Sequence, residues 1–262
     1  MRRTCRTAPP TIYHSEVSSR GHSPSDGALT WLRDSLRHRG WGGSLRFYGR
    51  EFLDMVRDLS PSRRKSRYGD IDYDFEHGVD TTWATVTLRT RVREWLSGGQ
   101  YQPSEPALFS EIINTLPVSP EGFTFIDLGS GKGRTLLMAS SYPFHRIIGM
   151  ELLEELNRIA VDNLKRYHDD EQRCFAIESH AGDARHFDFP AEPTVLYLFN
   201  PFPRHIWREM LDRLHNSLLA SPRPVYVIYH NPVHEDIPNS QSWLRELKRT
   251  HQFVIYQATT GK

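Results

Sequence analysis

The densest chemistry in the chain lies in one ten-residue stretch, Phe125-Ile126-Asp127-Leu128-Gly129-Ser130-Gly131-Lys132-Gly133-Arg134. Three glycines at alternate positions let a backbone turn sharply and approach a ligand closely. A phosphate-binding loop would need G-x-x-x-x-G-K-[ST]. Here Ile126 stands where the first glycine belongs and Gly133 where the hydroxyl belongs, so that chemistry is excluded. A dinucleotide loop, G-x-G-x-x-G counted from Gly129, meets Arg134 at its third glycine and fits poorly. A third pattern, acid-x-G-x-G-x-G, is met in full by Asp127, Gly129, Gly131 and Gly133.

Three further groups follow in chain order. Gly149-Met150-Glu151 places a carboxylate 22 residues after Gly129, and Gly182-Asp183-Ala184 places a second. A carboxylate accepts two hydrogen bonds at once and so suits a diol or an amino group. Asn200-Pro201-Phe202 combines an amide, a carbonyl and an aromatic ring. Tyr197, His230 and Glu235 are candidate proton acceptors. His230 and His234 are four apart, but Pro232 between them forbids a regular helix, so no metal site is expected.

These residues need elements to position them. Apolar runs of strand length occupy Phe123–Leu128, Arg146–Glu151, Cys174–His180, Thr194–Phe199, Val225–His230 and Gln252–Gln257. Between them lie helical stripes: Leu153, Leu156, Ala160, Leu164 and Tyr167, then Ile206, Met210, Leu211, Leu214 and Leu218. Ser104–Leu116 reads as a helix capped by Ser104 and stopped by Pro117. Near-continuous apolar strands alternating with helices predict an α/β fold, a doubly wound and mostly parallel sheet covered on both faces. The glycine loop and both carboxylates then fall at strand C-terminal ends, where such sheets bind ligands.

Composition bounds the rest. The 262 residues carry 33 Lys+Arg against 32 Asp+Glu, so bulk charge does not mark a polyanion binder. Residues 1–67 are basic, with 14 basic against 6 acidic side chains. The next 13 residues hold Asp70, Asp72, Asp74, Glu76 and Asp80 with no Lys or Arg. These acids either balance the Arg63–Arg67 run or attract a cationic substrate. Two distant cysteines, Cys5 and Cys174, exclude a disulfide scaffold. No apolar run reaches ~18 residues and the N-terminus lacks a signal-type apolar core, so a cytoplasmic location without membrane contact is expected.

With its order of motifs, the chain over roughly residues 100–257 resembles the class I S-adenosylmethionine-dependent methyltransferases. The resemblance implies a Rossmann-like sheet of six or seven strands, the last antiparallel, with S-adenosylmethionine at the glycine loop. It implies cofactor contacts from Asp127, Gly129, Ser130, Gly131 and Gly133. It also implies that Glu151 holds the ribose hydroxyls and that Asp183 and Ala184 meet the adenine. Tyr101-Gln102-Pro103-Ser104 is similar to a segment that closes over the methionine end, which brings in Tyr101 and Ser104. Asn200-Pro201-Phe202 resembles the [DN]-P-P-[FY] signature of enzymes that methylate nitrogen, with the second proline missing. It implies that Asn200 and the Pro201 carbonyl aim the acceptor and that Phe202 stacks on it.

The expected organisation is a disordered basic tail (1–27), a helical N-terminal extension or lid (28–100) and the methyltransferase domain (101–262). The expected acceptor is a protein side chain or small amine, with nucleic acid less favoured. Two alternatives remain at this stage. One is a non-catalytic cofactor-binding module that docks RNA or a protein through its basic head; the other is methyl transfer to oxygen of a small molecule.

Overall fold

A computed structural model of the chain describes residues 71–82, 90, 103–199 and 202–259. The strands are β1 (Thr124–Leu128), β2 (Arg146–Glu151), β3 (Ile177–Ala181), β4 (Thr194–Phe199), β5 (Val225–His230), β6 (Leu244–Arg249) and β7 (Phe253–Ala258). The helices are α1 (Ile71–His77), α2 (Pro106–Thr115), α3 (Arg134–Ala139), α4 (Glu154–Arg166), α5 (Arg204–Ala220) and α6 (Asp236–Asn239). The seven strands form one sheet in the order β3-β2-β1-β4-β5-β7-β6. β1, β2, β3, β4 and β5 pair in parallel; β7 runs antiparallel to both of its neighbours.

Burial matches a covered, mostly parallel sheet. Every residue of β1 and β5 is buried, and β4 is nearly so, because helices cover both faces. Alternate side chains feed two cores. On one face Ile126, Leu196, Val227 and Tyr229 pack under Trp207, Met210, Leu211, Leu214 and Leu218 of α5. On the other, Phe125, Ile147, Val195 and Ile228 pack under Phe109, Ile112 and Ile113 of α2 and Leu136 of α3. Each buried side chain of this size contributes ~1.5–3 kcal/mol through the area it removes from water.

The expected six or seven strands are seven, and two other expectations change. The strand that the apolar runs do not reveal is β6; its burial pattern has one buried residue in six and four charged side chains, so it lacks the apolar run of a covered strand. Charges on an edge strand also keep it from pairing with other chains. β3 begins at Ile177 rather than Cys174. Helix α2 begins at Pro106 with Glu105 as its N-cap residue and no side-chain cap, so Ser104 does not cap it. The expected tail at 1–27 and, of the expected extension at 28–100, all but residues 71–82 and 90 lie outside the described residues.

Candidate active site

The site forms where β1 and β4 diverge, one leading to β2 and the other to β5. The chain leaves β1 through Gly129, Gly131 and Gly133, whose φ values are 93°, 56° and 83°. All three lie in the left-handed region where glycine alone is unstrained. The Gly129 and Ser130 N–H groups donate to the Met150 carbonyl at 2.8 and 3.1 Å, tying the loop to β2. A side chain on Gly133 would also press on Ala160 of α4, with Cβ atoms 3.2 Å apart.

The close approach of α3 to the sheet is made at Gly149 of β2. A Cβ there would lie 2.5 Å from Leu136 Cδ1 and 2.8 Å from Ser130 Oγ. Gly149 therefore does the packing work that the third glycine does in a dinucleotide loop, which explains why Arg134 is tolerated in the loop itself.

Asp127 and Glu151 end adjacent strands, two residues apart in register. Asp127 is buried and accepts a hydrogen bond from the Thr135 hydroxyl at the start of α3. Burial pushes its carboxyl up to about 7, against the pull of Thr135 and with some help from Glu151. Glu151 accepts from the Gly131 N–H at 2.9 Å and from the Leu153 N–H at 2.8 Å. Burial raises its carboxyl above the ordinary value, and those N–H groups oppose the shift. Among the described residues its ties are backbone N–H groups, and no cation neutralises it.

Beside it, the Ser130 hydroxyl is buried with no hydrogen-bond partner. A buried polar oxygen without a partner is costly unless a ligand supplies one. A raised carboxylate, an orphaned hydroxyl and an open glycine turn together fit a polyhydroxylated nucleoside ligand.

Asp183 follows β3 and takes both jobs available to it locally. It caps the 3₁₀ turn Ala184–His186 by accepting from the Arg185 N–H at 2.9 Å, and it pairs with the Arg185 guanidinium at 2.6 Å. Burial opposes its ionisation, but Arg185 outweighs burial and leaves it below the ordinary carboxylate range. Ala184 is buried next to it.

At the other side of the site, the Tyr197 hydroxyl bridges Ser104 Oγ at 3.0 Å and His230 Nδ1 at 2.7 Å. All three residues are buried. Burial pushes the Tyr197 phenol up and the His230 imidazole down to about 4, so both are neutral at physiological pH. His230 stacks on Phe199, with ring centroids 3.9 Å apart and planes 14° from parallel. The two line a cleft of about 280 Å³ together with Pro103, Glu105, Leu108, Asn231, His251 and Gln252.

Tyr101, Asn200 and Pro201 lie outside the described residues. Phe202 is half-buried and packs edge-on to Trp207, 6.5 Å between centroids.

Sequence reasoning missed what Lys132 and Arg134 do. Both are buried inside the fold. Lys132 Nζ reaches Asp80 at 2.8 Å and the Thr82 carbonyl at 2.7 Å; Arg134 reaches Asp74 at 3.2 Å and the Thr81 hydroxyl at 2.6 Å. The signal was available as an acid run without cations ahead of a loop with two.

A seven-stranded sheet closed by an antiparallel strand, with this glycine loop and an acid after β2, is the arrangement that the sequence resemblance implies. The family model described as "Histone methylation protein DOT1" matches residues 94–198, which include the loop and both acids. Over that segment the chain is similar to class I S-adenosylmethionine-dependent methyltransferases. Among solved structures, an RNA methyltransferase from Salinibacter ruber bound to S-adenosyl-L-homocysteine is 20% identical over 60% of this chain and 92% of that one, with a TM-score of 0.41. A dimethyladenosine transferase from Plasmodium falciparum is 12% identical over 61% and 63%, with a TM-score of 0.44. Among curated proteins, light-independent protochlorophyllide reductase subunit N of Huperzia lucidula is 25% identical over 162 residues. That match takes in 61% of this chain but only 31% of the reductase subunit. The strand order and the glycine loop carry the methyltransferase reading; these distant likenesses do not.

Proposed function

We propose that this methyltransferase transfers the methyl group of S-adenosylmethionine to a nitrogen atom on a protein side chain or small amine. The observation that carries the cofactor half is Glu151. It is a buried carboxylate, held by two backbone N–H groups and, among the described residues, by no cation, at the turn where a ribose would lie. Glu151, Ser130 and the loop N–H groups would hold the nucleoside. Asp183 and Ala184 would flank the base. When bound, S-adenosylmethionine supplies an electrophilic methyl group on a good leaving group, so the protein mainly has to position the acceptor and exclude water.

The acceptor half rests on two things. Asn200-Pro201 matches the hydrogen-bonding part of the nitrogen-methylating signature. It directly follows Phe199, which lines the 280 Å³ cleft with His230. A neutral His230 offers that cleft a hydrogen-bonding nitrogen. With its imidazole held near 4, it is too weak a base to take the proton of an alkylammonium. His230 is therefore not the group that takes the proton of an amine acceptor. The matched family's description, histone methylation, favours a protein side chain over a free amine. Methyl transfer to oxygen would use the same cofactor half but has no counterpart to Asn200-Pro201.

The test supplies the full-length protein with methyl-labelled S-adenosylmethionine, basic protein extracts and polyamines. Label in protein that acid hydrolysis releases as a methylated amino acid supports nitrogen transfer. Asn200→Ala is expected to cost ~2–4 kcal/mol of barrier, as loss of a positioned contact does, with cofactor affinity within ~3-fold. Label in an ester or ether, or full turnover by Asn200→Ala, would sink the nitrogen reading.

A further inference from the structure

We propose that residues 71–82 are a built-in strap of the cofactor site, in which Asp80 and Asp74 are positioning residues that hold the glycine loop through Lys132 and Arg134. The inference rests on the cofactor reading just given, but it concerns residues that the reading does not place near the ligand.

The loop presents a difficulty that the strap resolves. Lys132 is fully buried and Arg134 nearly so, one on each side of Gly133. A buried cation without a partner carries a large desolvation penalty. Loop cations aimed outward would also build a phosphate-type site, the wrong field for a ligand that carries a sulfonium. The strap removes both problems. Asp80 takes Lys132 at 2.8 Å. Asp74 takes Arg134 at 3.2 Å. What the loop then offers a ligand is backbone N–H groups and the Ser130 hydroxyl, not net positive charge.

The strap is itself held in register. Asp74 accepts from the Thr81 and Thr82 N–H groups at 2.7 and 2.9 Å and from the Thr81 hydroxyl, which folds the segment back on itself. Asn163 of α4 is 1% exposed and clasps both ends of the Asp80 backbone. Its side-chain oxygen accepts from the Asp80 N–H at 2.9 Å, and its amide donates to the Asp80 carbonyl at 2.8 Å. The same amide donates to the Lys132 carbonyl at 3.0 Å. One buried amide thus ties strap to loop through the backbone while the ion pairs tie them through side chains. Tyr73 adds its ring beneath the Arg134 guanidinium, 4.8 Å from the centroid. The strap ends at residue 82, ahead of residue 100, where the methyltransferase resemblance begins, so in this proposal the functional unit extends at least to residue 71.

The test uses the full-length protein with two readouts, calorimetric titration with S-adenosylhomocysteine and hydrogen exchange at residues 129–133. Asp80→Asn, Lys132→Met and the double variant are compared with the unaltered chain. Asp80→Asn is expected to weaken S-adenosylhomocysteine at least 10-fold, or about 1.4 kcal/mol, and to speed exchange in the loop. KM for S-adenosylmethionine should rise with kcat within about 2-fold. The double variant should bind no more weakly than Asp80→Asn, because the two residues act as one unit. A folded Asp80→Asn with affinity within 2-fold and unchanged loop exchange overturns the proposal; so does a double variant whose losses multiply. If the unaltered chain ignores S-adenosylhomocysteine, the cofactor reading fails, and loop exchange alone still decides the strap. Should Asp80→Asn not fold, Asp74→Asn is read in the same way, since Arg134 keeps the Thr81 hydroxyl.

Discussion

Two carboxyls at the ends of adjacent strands divide the work of the site. Glu151 is held at the glycine turn by the Gly131 and Leu153 N–H groups and in the proposed reading meets the ribose, whereas Asp127 is turned onto Thr135 at the start of α3. Removing the Glu151 carboxylate should therefore act on affinity. Glu151→Ala is expected to cost ~1.5–3 kcal/mol, the worth of charge-assisted hydrogen bonds, or roughly 10–150-fold in the dissociation constant for S-adenosylmethionine. Asp127 should act on stability instead. Its folded pKa, about 7, lies above the unfolded value near 3.8, so the fold favours the protonated form. The stabilisation is fully present below pH ~4 and is lost as pH rises through 7, by at most about 4 kcal/mol. Asp127→Asn keeps the shape of the neutral acid. Denaturant melts of this variant from pH 4 to 8 should show a flatter stability profile and a relative gain at pH 8. His230 has the opposite sign, with a folded pKa near 4 below an unfolded 6.5. Its contribution is present above pH 6.5 and fades as pH falls through 4, so His230→Gln should remove part of the loss of stability between pH 6.5 and 4.

At the scale of elements, the close seat of α3 on β2 depends on one missing side chain. Gly149→Ala would drive a methyl group to 2.5 Å from Leu136 Cδ1 and 2.8 Å from Ser130 Oγ. Overpacking of this kind costs ~1–3 kcal/mol, and here it also displaces the Ser130 hydroxyl. The variant is expected to lower the thermal midpoint and weaken S-adenosylmethionine together, a pairing that scanning calorimetry with and without ligand would reveal. Elements buried on both faces were legible in the sequence, because β1, β4 and β5 are apolar at nearly every position and α4 and α5 show clean stripes. The edge was not. β6 has the composition of a surface loop, since an edge strand with one exposed face and an exposed rim has little to bury. Ser104 was legible as a polar residue at a helix start, but its partner is Tyr197, 93 residues away, and no local pattern encodes that choice. The loop's cations were visible as residues and invisible as ion pairs for the same reason.

Over the whole molecule, the strap, the loop and the sheet form one connected structure, from α1 through Asn163 of α4 to the end of β2. No described helix is long and apolar enough to cross a membrane. Ligand binding at the loop should therefore be felt in the strap. At a ligand concentration 100 times its dissociation constant, mass action adds ~2.7 kcal/mol to global stability. Exchange at residues 71–82 should slow along with the loop, while β6, at the opposite edge of the sheet from β2 and β3, should show only the global change. Protection confined to residues 129–133 would separate the strap from ligand binding.

Titration of the full-length protein and its Glu151→Ala variant with S-adenosylmethionine, with NADH as the control, tests the cofactor site most directly. Micromolar heat of binding for S-adenosylmethionine alone, weakened at least 10-fold in a folded Glu151→Ala, is the predicted result. A folded protein that binds NADH instead, or a Glu151→Ala variant that binds S-adenosylmethionine undiminished, would contradict it.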